Sequence, residues 1–403
     1  MERLSYDYII VGAGLAGASA VAGIREIDSN GSILLLGSEN RLPYDRPPLT
    51  KSLWSGRKGL PDIFIYNSKF YEKNGVELRL NSPAARLDLS AKLIYTEEGK
   101  IFSFGKLLLA AGGQPRRFIF SGNASSEVIW YRYLSDFEKL REKIGIQGRV
   151  AVIGGGFIGS ELAASLCGYG AQVALLFTEN HLCARVFPKE LGAAVTEEYI
   201  RRGVYIMNNQ RVNAISRDGN DIMIETSMGI VRADAVVAGF GIEPEVNMAL
   251  YAGLKIDGGI LVDNHLKTSH PDIYAAGDCA NFPYDVLGKR VRMEHWDNAL
   301  NQGTTAGRNM AGANETYLHM PYFFSDLFEF GYEAVGDINS ANVTVADWKE
   351  RYRAGIIYYL DSFSRVTGVM ACGIYGRMEE GRELIRSGMR LDPQSAVFPL
   401  NLN

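Results

Sequence analysis

The 403-residue chain is short of the residues that staple or metallate small folds. Its four cysteines, Cys167, Cys183, Cys279 and Cys372, are scattered with no C-x-x-C pair. That excludes a disulfide framework and reads each thiol as a packing residue. Only five histidines occur, none at metal-ligand spacing, so no metal site is expected. A net charge of −4 leaves no basic excess with which to hold nucleic acid. No apolar run approaches the roughly 18–20 residues of a membrane span. The first apolar run begins close to Met1, which leaves no room ahead of it for a targeting peptide and makes the cytoplasm the expected location. What remains, 47% hydrophobic and 22% charged, is ordinary for a globular protein of two or three domains.

Glycine, by contrast, is abundant and patterned. GAGLAG places Gly12, Gly14 and Gly17, and GGGFIG places Gly154, Gly156 and Gly159. Each follows a buried-strand pattern (Tyr8–Val11, Val150–Ile153) and opens a small-residue helical one (Ala18–Ile24, Ser160–Leu166). The first glycine makes a tight turn, the second admits a pyrophosphate to the backbone, and the third lets helix and strand pack closely. Amides and dipole at the helix start then hold the phosphates. Two such units on one chain predict two bound dinucleotides, a flavin and a nicotinamide.

The rest of the pattern predicts an α/β protein. Residues 1–117 and 242–319 form a discontinuous FAD-binding domain with Ile33–Leu36 and Ile273–Ala275 as further strands. Residues 118–241 form an inserted NAD-binding domain, and the likeness of Ala235–Gly239 to Leu107–Gly112 reads as one fold used twice. From 320 to 403, short aromatic and β-branched runs followed by a helical Glu379–Ser387 predict a small α+β C-terminal domain.

These blocks resemble the FAD-dependent pyridine nucleotide-disulfide oxidoreductases, in their ferredoxin/rubredoxin reductase and apoptosis-inducing factor branch. The resemblance spans nearly the whole chain. It is carried by LPYDRPPLTK at Leu42–Lys51, Phe177-Thr178-Glu179, Ser325-Asp326, Gly331–Gly336 and MEHWDNA at Met293–Ala299. It implies that FAD meets Gly12, Gly14, Ala16, Gly17, Ser38, Glu39, Arg46, Lys51, Ala84, Arg132, Asp278, His295, Trp296 and Phe324. It implies that NADH meets Gly154, Gly156, Phe157, Ile158, Gly159, Glu161, Glu179, Arg185, Gly241, Glu294 and Glu333. It also implies that Lys51, on a loop stiffened by Pro47 and Pro48, points at the flavin ring with Glu161 as its partner; a cation there favours reduced flavin. Glu39 and Glu179, about twenty residues beyond their glycines, suit ribose hydroxyls, and Glu179 opposes a 2′-phosphate. The implied activity is NADH oxidation through flavin to a small iron–sulfur carrier of the ferredoxin or rubredoxin type. The alternative is an NADH-responsive flavoprotein whose long-lived reduced flavin–NAD charge-transfer complex controls partner binding. Either a monomer or a redox-dependent homodimer is compatible with the sequence.

Overall fold

The computed structural model describes residues 4–394 and 398–400. By its contacts the chain divides into two compact units, Met1–Asp45 with Leu60–Gln114 and Glu243–Pro321, and Arg46–Gly59 with Pro115–Ile242 and Tyr322–Asn403. The second unit thus holds the second glycine fingerprint, the C-terminal sheet and the loop that begins at Arg46.

The first unit is built on a seven-stranded sheet. Leu4–Val11 lies at its centre, parallel to Ile33–Leu36 on one side and Ile101–Leu109 on the other, and Ile33–Leu36 in turn pairs with Val76–Arg79. The long Ile101–Leu109 strand takes the antiparallel Leu93–Thr96 at its start and the parallel Ile273–Ala275 at its end. Chain from beyond residue 242 therefore completes a sheet begun at residue 4. Continuous apolar runs suit strands covered on both faces: Ile9, Ile10 and Leu34 are fully buried.

Helices Leu15–Ile27 and Trp296–Met310 pack backbone to backbone on this unit. A Cβ at Gly23 would collide with the Thr304 carbonyl, one at Gly303 with Ala16, and one at Gly307 with Ala20. Three glycines thus set how closely the first-fingerprint helix and the helix led by Trp296 approach.

In the second unit five parallel strands run in the order Tyr205–Met207, Gln172–Leu176, Arg149–Ile153, Ala235–Ala238, Ile129–Trp130. A three-stranded antiparallel sheet (Val212–Asp218, Asp221–Thr226, Gly229–Ala233) adjoins it. The C-terminal part is a five-stranded antiparallel sheet ordered Tyr322–Leu327, Phe330–Gly336, Val366–Cys372, Ala354–Leu360, Val343–Glu350. Helix Met378–Arg386 covers it, and Tyr332, Tyr358 and Tyr359 are buried within it. The architecture is α/β, with two Rossmann-like halves, the second inserted in the first, and a C-terminal α+β part.

All four cysteines are free, three of them buried, and burial pushes every thiol upward, Cys279 to about 11 and Cys183 to about 12. Among the described residues no helix is long and apolar enough to cross a membrane.

The helix–helix contact yields a stability prediction. Gly307→Ala overpacks the contact and should lower the unfolding free energy by roughly 1–3 kcal/mol in a urea titration. Gly168→Ala, in a helix where a Cβ meets nothing within 4 Å, should leave it unchanged or raise it by up to about 1 kcal/mol.

Candidate functional site

In the first unit Gly12 has φ +116°, and a Cβ there would run into the Ala110 carbonyl. Its N–H donates to the Leu36 carbonyl at 2.9 Å, tying the turn to the neighbouring strand. Gly17 packs against the Gly12 carbonyl. Gly14 caps the helix facing open space, with no side-chain cap and no acid in the first turn. The first-turn amides, which include that of the buried Ala16, are left to an external acceptor. These features fit a dinucleotide phosphate.

Ser38 is exposed and Glu39 half-buried, its carboxylate accepting from the Tyr44 hydroxyl at 2.7 Å. Ala84 opens the Ala84–Asp88 strand and is partly covered. Asp278 lies in the short turn Gly277–Cys279 at the end of the Ile273–Ala275 strand. That turn is fixed by Gly277 N–H donating to the buried Gln302 at 2.9 Å and by Arg292 donating to the Asp278 carbonyl at 3.0 Å. His295 caps the Trp296–Met310 helix, and the Trp296 indole N–H donates to Asp45 at 2.6 Å. Exposed Glu294 pairs with Arg292 at 2.7 Å.

In the second unit the same turn recurs. Gly154 has φ +118°, Gly159 packs on its carbonyl, and Gly156 caps the Phe157–Tyr169 helix in open space, again without a side-chain cap or first-turn acid. Phe157 and Ile158 form the first turn, Ile158 38% exposed. Buried Phe177 lies with its ring against Gly155, and partly exposed Glu179 follows two residues on, accepting from Thr178 at 3.1 Å. Arg185 is exposed on the same loop. Gly241, with φ +80° and open surroundings, marks an exposed turn.

The structure brings Lys51, Glu161 and Phe324 together within this unit. Lys51 Nζ stands 3.2 Å from Glu161 and 3.4 Å from Asp326, with the Phe324 ring centroid 4.7 Å away. Glu161 is only 8% exposed, and hydroxyls of Thr50 and Ser325 each donate to it at 2.6 Å. Arg46 donates to the Arg132 carbonyl at 2.7 Å and lies over the Tyr133 ring. Glu333 pairs in register with Phe324, but its carboxylate accepts from the Gly376 N–H at 3.0 Å and stays out of the Lys51 cluster.

Sequence reasoning missed Thr50, Tyr44 and Asp45 as partners, although all three stand inside the LPYDRPPLTK segment. It also passed over Gln302, for which the sequence holds no signal.

Fold and site together define an α/β oxidoreductase with two dinucleotide-binding turns on one chain. The model of the pyridine nucleotide-disulphide oxidoreductase family matches residues 6–303, and the chain belongs to that family. Residues 306–350 match the C-terminal model of mitochondrion-associated apoptosis-inducing factor. The chain is 31% identical to the ferredoxin–NAD(+) reductase component of the anthranilate 1,2-dioxygenase system of Burkholderia cepacia, over 97% of each chain. It is 32% identical to mitochondrial apoptosis-inducing factor 1 of Dictyostelium discoideum, over 94% of this chain and 78% of that one. The ferredoxin reductase for the CYP199A2 system of Rhodopseudomonas palustris superposes with a TM-score of 0.88 at 28% identity, covering 96% of both chains.

Two predictions follow from the side chains. Lys51→Ala leaves Glu161 buried with hydroxyl donors only, and Glu161→Ala removes the buried partner of Lys51. The double variant should depart from additivity by about 0.5–3 kcal/mol in a denaturation cycle; purely additive effects would deny the coupling. Burial pushes His295 down to about 4, against the upward pull of Asp278 and Asp297. Its ring is thus neutral when folded, whereas the unfolded chain takes the proton near 6.5. Its contribution to stability is whole above pH 6.5 and is lost as pH falls from 6.5 towards 4. Denaturation across that range should show the loss, and His295→Gln should flatten it.

Proposed function

We propose that the protein is an FAD-dependent NADH oxidoreductase that passes electrons to a small iron–sulfur carrier of the ferredoxin or rubredoxin type. The observation that carries this reading is the doubled strand–glycine turn–helix, each helix start lacking a side-chain cap and a first-turn acid. Bound FAD supplies the conversion of one hydride into two single electrons. Oxidation of one NADH releases NAD⁺ and a proton and reduces two one-electron carriers.

In the first unit the amides after Gly12 and Gly14, with Ala16 and Gly17 packed beneath, hold the flavin dinucleotide's phosphates. Glu39 accepts from its ribose, with Ser38 and Ala84 beside it. Asp278, an acceptor-only carboxylate, suits a row of hydroxyls. His295 and Trp296 lead a helix whose positive end favours an electron-rich ring. In the second unit the resemblance assigns Arg46 and Arg132 to FAD. Lys51 supplies positive charge at the flavin ring, and Glu161, pinned by two hydroxyls, holds it there; Phe324 is the aromatic wall beside the ammonium.

Gly154, Gly156, Phe157, Ile158 and Gly159 hold the NADH phosphates. Glu179 takes the ribose, Arg185 adds charge, Gly241 lets the nicotinamide approach, and Glu333 borders it. A cytoplasmic setting accords with four free thiols and a pyridine-nucleotide reductant.

The match to the apoptosis-inducing factor C-terminal model favours a second reading, a slow flavoprotein that signals by retaining NAD⁺ after reduction. Against it, the strands of the C-terminal sheet are joined by short connections, such as Arg351–Arg353 and Asp361–Arg365, with no long insertion to act as a partner-binding segment.

Stopped-flow reduction with each cofactor, followed by mixing with an oxidised ferredoxin or rubredoxin, tests both readings. NADH should reduce the protein roughly tenfold to a hundredfold faster than NADPH at limiting cofactor, and Glu179→Ala should narrow that gap. Rapid transfer to the carrier without a change in mass is expected. Reduced protein that persists for many minutes in air and shifts to dimer by light scattering would establish the second reading instead.

A further inference from the structure

The loop between the Gln172–Leu176 strand and the Lys189–Arg201 helix is held from both sides. On one side it is tied to the glycine turn and the following helix. Cys183, with φ +51°, donates its N–H to the Gly155 carbonyl at 2.8 Å, and Leu182 N–H donates to Thr196 at 3.0 Å. The amides of Val186 and Phe187 fold back onto the Cys183 carbonyl at 2.8 and 2.9 Å.

On the other side three successive carbonyls are taken by the C-terminal part of the same unit. The Ser340 hydroxyl donates to Ala184 O at 2.6 Å, the Ser340 N–H to Arg185 O at 3.0 Å, and the buried Tyr359 hydroxyl to Val186 O at 2.8 Å. Phe187 then packs edge-on against Tyr332 at 5.3 Å. Ser340 sits in the Asp337–Asn342 connection, whose Asn339 side chain accepts from the Ala341 N–H at 3.0 Å. With carbonyls 184, 185 and 186 all fixed, the backbone of Arg185 has one orientation, while its side chain stands exposed.

We propose that Ser340 and Tyr359 are positioning residues for the pyridine nucleotide: by clamping carbonyls 184–186 they aim Arg185, so that the C-terminal sheet completes the nucleotide site opened by the second glycine turn. This rests on the assignment of Arg185 to the NADH site. Aiming one side chain by its backbone carbonyls spares the nucleotide the entropic cost of ordering the loop as it binds.

The test is calorimetric titration of NAD⁺ into the FAD-loaded protein and its variants. Ser340→Ala and Tyr359→Phe each remove one hydrogen bond and should raise the NAD⁺ dissociation constant about three- to tenfold. The Michaelis constant for NADH should rise with them while kcat is retained, and Ser340→Thr, which restores the hydroxyl, should recover wild-type affinity. Amide hydrogen exchange at 184–187 should quicken in Ser340→Ala, a readout independent of turnover. The proposal is overturned if Arg185→Ala weakens NAD⁺ binding but neither Ser340→Ala nor Tyr359→Phe does, since the clamp is then only structural. If Arg185→Ala leaves binding unchanged, the loop does not hold the nucleotide, and the proposal falls with the assignment beneath it.

Discussion

A single buried carboxylate organises the second unit. Glu161 lies on the second-fingerprint helix at 8% exposure, where an ionised group is tolerated only if it is fully partnered. Its partners come from two other stretches of chain: Thr50 and Lys51 from the Arg46–Gly59 loop, and Ser325 from the first strand of the C-terminal sheet. The helix, the loop and the sheet must therefore all be in place before the charge is satisfied. The loop has further attachments within this unit. Tyr131 donates to the Leu49 carbonyl at 2.6 Å, and Ser165 donates to the Thr50 carbonyl at 2.6 Å. A segment that comes early in the chain thus belongs, by its contacts, with residues far downstream. Its rigidity, begun by Pro47 and Pro48 in a short 3₁₀ turn, is completed by these carbonyl contacts.

That rigidity bears on how electrons leave. The loop beside the buried carboxylate offers an ammonium, a hydroxyl and two prolines, and no sulfur. None of the four thiols is on that loop; Cys183 reaches Ser160 at 3.7 Å, beside Glu161, but three of the four are fully enclosed and burial raises all of them, so the thiolate needed for disulfide exchange is suppressed. Within a family whose name includes disulphide chemistry, this loop carries an ammonium and hydroxyls and no thiol. Lys51 faces two carboxylates, one buried and pinned, the other, Asp326, on an exposed side chain.

Much of this was legible in the sequence where local pattern decides structure. Ile33–Leu36 and Ile273–Ala275 are strands residue for residue as their apolar runs predict, and both glycine turns sit between strand and helix as their spacing requires. The Trp296–Met310 helix was not legible. Its buried residues, Asp297, Asn298, Gln302, Gly303, Thr305, Ala306, Gly307, Asn309 and Met310, are mostly polar or small, because they meet another backbone and a polar turn instead of a hydrocarbon core. Thr50 and Ser325 were equally hidden as Glu161 partners, since a hydroxyl's acceptor is set by tertiary placement. The Lys51–Glu161 pairing was available only through family resemblance, because two charges over a hundred residues apart carry no local mark of each other.

The two dinucleotide turns show how far one plan can vary in sequence and keep its backbone. After the first strand pair, Gly37 N–H donates to Arg79 O, Ser82 N–H to Gly37 O, and Asn81 N–H to Glu39 O. After the second, Phe177 N–H donates to Met207 O, Gln210 N–H to Phe177 O, and Asn209 N–H to Glu179 O. The correspondence is bond for bond, down to Asn81 and Asn209 at φ +51° and +55°. What differs is where the bulk lies. In the first turn Ala13 faces Gly37, and in the second Gly155 faces Phe177; a Cβ added to either glycine would come within 2.7 Å of its neighbour. One member of each pair must be glycine, and which one is glycine differs between the two turns. Because the backbone is shared, the acid three residues beyond the strand end, Glu39 or Glu179, starts from the same place in both. Phe177 fills the space that Gly155 leaves open, and Glu179 stands two residues on, in the same backbone frame that carries Glu39 two residues after Gly37.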